Sequence, residues 1–144
     1  MKQPKFEWNP EEGIATCTIY DSDGQGHVGV AKCHADDADM MSEKTGFHIA
    51  HQRAIIEAYK AYKKKCSIEL KALKQLYYSM KHSKKFNSKS YESIMLYRQM
   101  RIKEEDIAAV NSLISVTKMN LKMFISQKDA FYKTVRQRRE KADN

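Results

Sequence analysis

The sequence predicts an α+β fold, mostly α, in which a three-stranded antiparallel β-meander leads into a long antiparallel, coiled-coil-like helical hairpin. Two observations predict this fold. Three short segments rich in β-branched and aromatic residues lie within the first 33 residues and are separated by turns that contain Pro or Gly. Two long segments follow, in which apolar residues recur at helical spacing on either side of a polar loop.

The predicted meander has strands at residues 5–8, 14–20 and 28–33. The segment NPEEG separates the first two strands, and DSDGQG separates the second from the third. Alternation along the strands places Trp8 and Ile19 on the buried face of the sheet. A three-stranded sheet of this size needs a helix across it to be stable.

The first helix is predicted at about residues 43–82, with Ser42 or Thr45 as its cap. Its apolar stripe consists of two rows that Lys63 interrupts: Ile49, Ile56, Leu70 and Tyr77 in one, and Tyr59, Cys66, Leu73 and Met80 in the other. The first turns of this helix are expected to pack across the sheet through four residues: Phe47, Ile49, Ala50 and Ala54.

The second helix is predicted at about residues 90–139. Its stripe consists of Ile94, Met100, Ile107, Val110, Ile114, Leu121, Phe124, Phe131 and Val135. The polar segment RIKEED at 101–106 leaves open whether this is one helix or two pieces, and the basic end is expected to fray. Because the second helix outruns the first, its last apolar side chains, each worth about 1.5–3 kcal/mol when buried, favour a homodimer or another partner.

Charge divides the chain into an acidic cap at residues 1–41 and a basic helical hairpin at 42–144, which we expect to form one structural unit. Residues 1–43 contain three bases and nine acids, a net charge of −6, whereas the whole chain carries +8. The rest of the chain therefore carries +14. Such segregation favours a polyanionic partner more than scattered charge would.

Several classes of protein are disfavoured by the sequence. No apolar run is long enough to cross a bilayer, and the N-terminus lacks a hydrophobic signal core, so we expect a cytoplasmic protein without membrane contact. Cys17, Cys33 and Cys66 show no CxxC spacing and are expected to be reduced. No nucleophile motif or phosphate-binding loop is present, and we expect neither catalysis nor a cofactor.

The only clustered metal-ligand types are Cys33, His34, Asp36, Asp37, Asp39, His48 and His51. His48 and His51 are three residues apart on a helix and could share a metal ion, with Cys33 or an Asp to complete the site. This spacing matches no zinc-finger or zinc-ribbon pattern. The alternative interpretation is a solvated acidic loop beside two histidines on a helix surface, and we predict no metal.

Basic residues of the two helices and the loop between them form the candidate interface with nucleic acid or a partner. They are Lys60, Lys63, Lys64, Lys65, Lys71, Lys74, Lys81, Lys84, Lys85, Arg98, Arg101, Arg136, Arg138 and Arg139. Interleaved tyrosines could stack on bases. The alternative is that these lysines only keep long helices in solution.

The segment GVAKCHADDADMMSEKTGFHIAHQRA at 29–54 resembles a pattern in small accessory proteins of phages and prophages of Gram-positive bacteria. The matching positions are Gly29, Ala31, Lys32, Cys33, Asp37, Asp39, Gly46, Ala50, Arg53 and Ala54. The order of strands and helix is also loosely similar to the second half of a double-stranded-RNA-binding domain, but acidic residues replace its lysine-rich helix start.

The phage resemblance implies a protein that works by binding in the cytoplasm of a bacterial host cell. The expected function is a non-catalytic accessory protein that engages nucleic acid or a host nucleoprotein through its basic helices, and it includes inhibition of a defence complex such as a CRISPR effector. The alternative is a structural or adaptor coiled coil that binds another protein.

Overall fold

A computed structural model describes residues 2–32, 42–83 and 85–143 of the 144-residue chain. Three strands precede two helices: β1 (Lys5–Asn9), β2 (Ile14–Tyr20), β3 (Gly26–Lys32), α1 (Glu43–Lys81) and α2 (Tyr91–Asp143). The predicted α+β class, with a β-meander and a helical hairpin, is confirmed. Within the described residues, neither helix contains a stretch apolar enough to cross a membrane.

The strands form one antiparallel sheet in the order β1-β2-β3. Cys17 of β2 is opposite Phe6 of β1 and Gly29 of β3, so these three positions share a face of the sheet. The turn between β2 and β3 is held by Asp21, whose Oδ1 accepts hydrogen bonds from the amides of Asp23 at 2.9 Å and Gln25 at 3.0 Å.

The described chain forms two compact units, each of which contains part of both helices. The sheet unit comprises residues 1–58 and 115–144, and the hairpin-end unit comprises residues 59–114. The sheet unit thus holds the β-meander, the start of α1 and the end of α2. The hairpin-end unit holds the end of α1, the connecting loop and the start of α2.

Small residues form the core of the sheet unit: Ala15, Cys17, Ala31, Ala50 and Ala54, all at most 1% exposed. Trp8, Ile19, Phe47 and Ile49 pack against this core, as predicted. At Gly29 a Cβ atom would lie 2.0 Å from the carbonyl oxygen of Ala50, so only glycine permits this approach of α1 to β3. Arg53 strengthens the same contact because its Nη1 donates a 2.7 Å hydrogen bond to the carbonyl of Val30.

In the hairpin-end unit the two helices meet along an apolar seam. Its most buried apolar side chains are Cys66 of α1 and, on α2, Leu96, Val110 and Ile114, all at most 9% exposed. The prediction assigned Ile94 to this seam, but Ile94 is 46% exposed. Leu96 occupies the seam because it lies four residues before Met100 and so keeps the three-and-four spacing.

Helix α2 runs unbroken through residues 101–106 and reaches Asp143, a few residues beyond the predicted end at about 139. Two ion pairs with α1 hold the polar segment in place: Lys103–Glu69, and Lys74–Glu104 at 3.9 Å. Such contacts between distant segments cannot be read from the local sequence.

Near its end, α2 buries Tyr132, which is 7% exposed, and not the predicted Phe131, which is 59% exposed. A straight α-helix advances 3.6 residues per turn, so a strict seven-residue spacing drifts off the buried face after several turns. With 53 residues, α2 exceeds the 39 residues of α1, as predicted.

Both helices begin at serine caps. The Oγ of Ser42 accepts a 3.1 Å hydrogen bond from the amide of Thr45, and the Oγ of Ser90 accepts one of 3.2 Å from the amide of Ser93. Of the two caps proposed for α1, Ser42 is therefore the correct one.

Candidate nucleic-acid interface

The hairpin-end unit carries most of the excess positive charge of the chain. Residues 59–114 contain thirteen Lys and Arg but only five Asp and Glu. The imbalance is greatest close to the loop, where residues 70–101 contain eight bases and one acid. A polyanion approaching this unit therefore meets a strongly positive surface.

The basic side chains are not spread evenly around α1. The seam defines a heptad in which Cys66 and Leu73 take d positions and Leu70 and Tyr77 take a positions, and each seam has two flanks. One flank, formed by the e and b positions, carries five lysines of α1 and one arginine of α2. We call this set the basic face: Lys60, Lys64, Lys71, Lys74, Lys81 and Arg101.

All six side chains of the basic face are exposed. Glu104 is the only acid at the e and b positions of the hairpin-end unit, and its carboxylate lies 3.9 Å from the Nζ of Lys74. Arg101 is charged at any physiological pH, and a hydrogen bond with Tyr97 raises its pKa further. The flank therefore carries a net charge of +5.

Two tyrosines lie on the same flank. Tyr78 follows Lys74 by one helical turn and is 65% exposed, while Tyr97 of α2 is 51% exposed. The ring of Tyr78 lies 4.2 Å from that of His82, centroid to centroid, and Tyr97 lies 6.4 Å from Tyr77. Proteins that bind single-stranded nucleic acid combine exposed aromatic rings, which stack on unpaired bases, with basic side chains.

The consecutive lysines at 63–65, predicted to act together, are separated by the helix. Lys64 belongs to the basic face, whereas Lys63 is half-buried at an a position of the seam. Lys65 lies on the opposite flank, because successive residues of an α-helix differ by about 100°. Only one of the three can therefore contact a ligand bound to the basic face.

The opposite flank is organised around the pair formed by Glu69 and Lys103. Their hydrogen bond lowers the pKa of the Glu69 carboxyl and raises that of the Lys103 ammonium. Beside them, a hydrogen bond with Cys66 raises the pKa of the Tyr62 hydroxyl. Because Lys103 is paired with Glu69, it does not extend the basic face to this flank.

The remaining predicted bases lie elsewhere. Lys85 is exposed in the loop, and Arg98 is exposed on α2 next to the basic face, while Lys84 falls outside the described residues. The three last predicted bases belong to the sheet unit, at the end of α2: Arg136, Arg138 and Arg139.

The candidate metal ligands are not brought together. His48 packs against Phe124 with a centroid distance of 4.4 Å, and His51 lies 5.8 Å from Phe6. Over residues 2–32, 42–83 and 85–143, no three side chains of His, Cys, Asp or Glu are placed to share a metal ion. Cys33 falls outside the described residues.

Seven of the ten residues that carry the phage-protein resemblance are described, and four of these seven have a clear packing role at one contact. Gly29, Ala50, Arg53 and Ala54 form the contact between α1 and β3 described above. Three other matching positions lie outside the described residues: Cys33, Asp37 and Asp39. The described part of the pattern thus explains how β3 packs against α1. It contributes no residue to the basic face.

No protein-family model matches the chain, and neither curated proteins nor solved structures contain a significant match. The candidate site therefore rests on its own geometry. Sequence reasoning found the basic residues but missed their division between two flanks. The heptad register of the seam was the signal that could have found it.

Proposed function

We propose that this protein is a non-catalytic binding protein whose basic face contacts the phosphates of a nucleic acid, alone or within a nucleoprotein. One observation carries the proposal: six exposed bases and a single acid occupy one flank of the helical seam. Lysines that serve only solubility are expected on both flanks, whereas lysines that contact one phosphate backbone must lie on the same side of the hairpin.

The length of the basic face suits a nucleic-acid backbone. Lys60 and Lys81 are 21 residues apart, which corresponds to about 31 Å at the helical rise of 1.5 Å per residue. That distance is close to one turn of B-DNA, about 34 Å. Tyr78 and Tyr97 add stacking contacts where the strand is unpaired.

The resemblance to phage accessory proteins suggests where such binding is used. A basic helical face that occupies the nucleic-acid channel of a host defence complex, for example a CRISPR effector, would block it without catalysis. Support for this setting comes from the resemblance and from the charge segregation. We also propose that the binding form is a homodimer, as the sequence predicts.

The proposal is tested with labelled single-stranded DNA, duplex DNA and RNA titrated over a series of salt concentrations. If four to six lysines and arginines contact phosphates, log K should fall against log salt with a slope of about −4 to −5 for duplex DNA. Binding that is absent at low salt, or that ignores salt, would contradict a phosphate-binding face.

A matched pair of variants locates the contact. Lys64→Gln and Lys65→Gln remove the same charge from adjacent residues, but only Lys64 belongs to the basic face. Lys64→Gln should weaken binding several-fold and reduce the salt slope by about one, while Lys65→Gln should change the slope little. Equal losses in the two variants would show that net charge, and not this face, attracts the nucleic acid.

A further inference from the structure

The flank opposite the basic face is apolar. Between residues 69–76 of α1 and 99–103 of α2 it contains a groove of about 440 Å³. The floor and walls of this groove are mainly Ala72, Leu73, Leu76 and Ile102, with Gln99 beside them. The pair Glu69–Lys103 closes one part of the lining. We call this flank the apolar face.

Large apolar side chains on and beside this face remain open to solvent. Leu76 is 55% exposed, Ile102 48% and Leu113 46%, and the adjacent Ile68 is 61% exposed. Apolar residues scattered singly over a surface are ordinary, but a contiguous groove with such a rim is typical of an interaction site.

The charge on the apolar face indicates which partner fits it. The charged residues at the positions of this face are Lys65, Glu69 and Asp106. The seam residue Lys103, which is paired with Glu69, brings the net charge to zero, while the basic face carries +5. A basic or acidic partner gains little at a neutral face. A second copy of this chain, by contrast, can bring two such faces together while the two positive faces point away from each other.

We propose that the apolar face is the interface of a two-fold homodimer, in which the hairpin ends of two chains pack as four helices. This inference rests on the proposed function and identifies the surface through which its homodimer would form. The dimer then presents two basic faces on opposite sides, so one dimer can hold two nucleic-acid segments or bind one longer segment with greater avidity.

Sedimentation velocity of the full chain without nucleic acid, from about 1 to 100 μM, tests the interface. The wild-type mass should rise toward twice 16.8 kDa within this range. Ile102→Glu places a charge in the groove and should raise the dissociation constant by about tenfold or more. Far-UV circular dichroism checks that the variant retains its helices.

The chain supplies a closely matched control. Ile94 is the same residue type on the same helix, with 46% exposure against 48% for Ile102, but it lies on the flank of the basic face. Ile94→Glu should leave the dimer intact. A wild-type chain that stays monomeric throughout, or equal dissociation of both variants, would overturn the proposal.

The experiments distinguish failure of the dimer proposal from failure of the nucleic-acid-binding proposal. The mass is measured without nucleic acid, so a monomer that still binds DNA or RNA with a steep salt slope removes only the dimer. If Ile102→Glu abolishes nucleic-acid binding by a monomeric chain, the groove holds nucleic acid and a second copy does not occupy it. Lys64→Gln, on the other flank, should remain dimeric.

Discussion

In the sheet unit, helix and strand meet through the smallest side chains, whereas in the hairpin-end unit two helices meet through larger and partly polar ones. Ala50 and Ala54 of α1 lie directly on Gly29, and this core is fully buried. In the other unit the seam admits Lys63 and Lys103, and its flanks remain open. The first contact tolerates almost no change of volume, while the second leaves its surfaces available for other molecules.

The largest expected effect comes from Gly29→Ala. The added Cβ would meet backbone atoms of α1, the carbonyl oxygen of Ala50 at 2.0 Å and the amide nitrogen of Ala54 at 2.3 Å. Backbone cannot move aside as a flexible side chain can, so we expect the free energy of unfolding to fall by about 3 kcal/mol or more. Urea denaturation followed by circular dichroism measures the change.

Gly24→Ala is the control for that substitution. Gly24 has a φ of +81° but no atom within 4 Å of the added Cβ. Only backbone strain should result, at a cost of about 1 kcal/mol. If Gly29→Ala is no more destabilising than Gly24→Ala, α1 does not approach β3 as closely as described.

A smaller effect is expected in the seam of the hairpin-end unit. Leu96→Ala removes a side chain that is 7% exposed and should reduce the free energy of unfolding by about 2–3 kcal/mol. Ile94→Ala, two residues away and 46% exposed, should cost less than about 1 kcal/mol. Thermal or urea unfolding measures both variants. If Ile94→Ala is the more destabilising of the two, Ile94 and not Leu96 lies in the seam, as the sequence alone predicted.

The two units also differ in how far the sequence predicted them. Period-two alternation and turn residues placed the strands to within about two residues, and a serine before an acidic first turn marked the start of α1. Helix α2 was harder, because Lys103 and Glu104 look like a break until their partners on α1 are known. Phe131 was misassigned because a seven-residue spacing cannot be extended over so many turns.

The candidate site was predicted in composition but not in arrangement. Lys63, Lys64 and Lys65 read as one basic cluster in the sequence, yet the helix directs them to the seam and to two different flanks. The apolar face escaped notice because Leu76 and Ile102 lie in different helices and come together only in the hairpin. The residue types were known from the sequence, but the alignment of α1 against α2, which decides which residues share a face, was not.

The smallest effect concerns acid stability of the sheet unit. The Oδ2 of Asp21 lies 2.8 Å from the Nε2 of His27, and this hydrogen bond, together with the two backbone amides, holds the pKa of Asp21 below its usual value of 3.8. At a pH between the folded and unfolded pKa values, the Asp21 carboxyl therefore binds a proton in the unfolded chain but not in the folded chain. This contribution to stability is complete above the unfolded pKa and is lost as the pH falls through the folded one.

Asp21→Asn should therefore be less stable than the wild type at neutral pH, and the difference should narrow below about pH 4. Urea midpoints of both proteins between neutral and acidic pH measure it. Because the carboxyl is partly solvated, we expect a modest difference. Equal stability of the two proteins at every pH would mean that the Asp21 side chain acts only by its shape in the turn, since asparagine keeps that shape but cannot carry the charge.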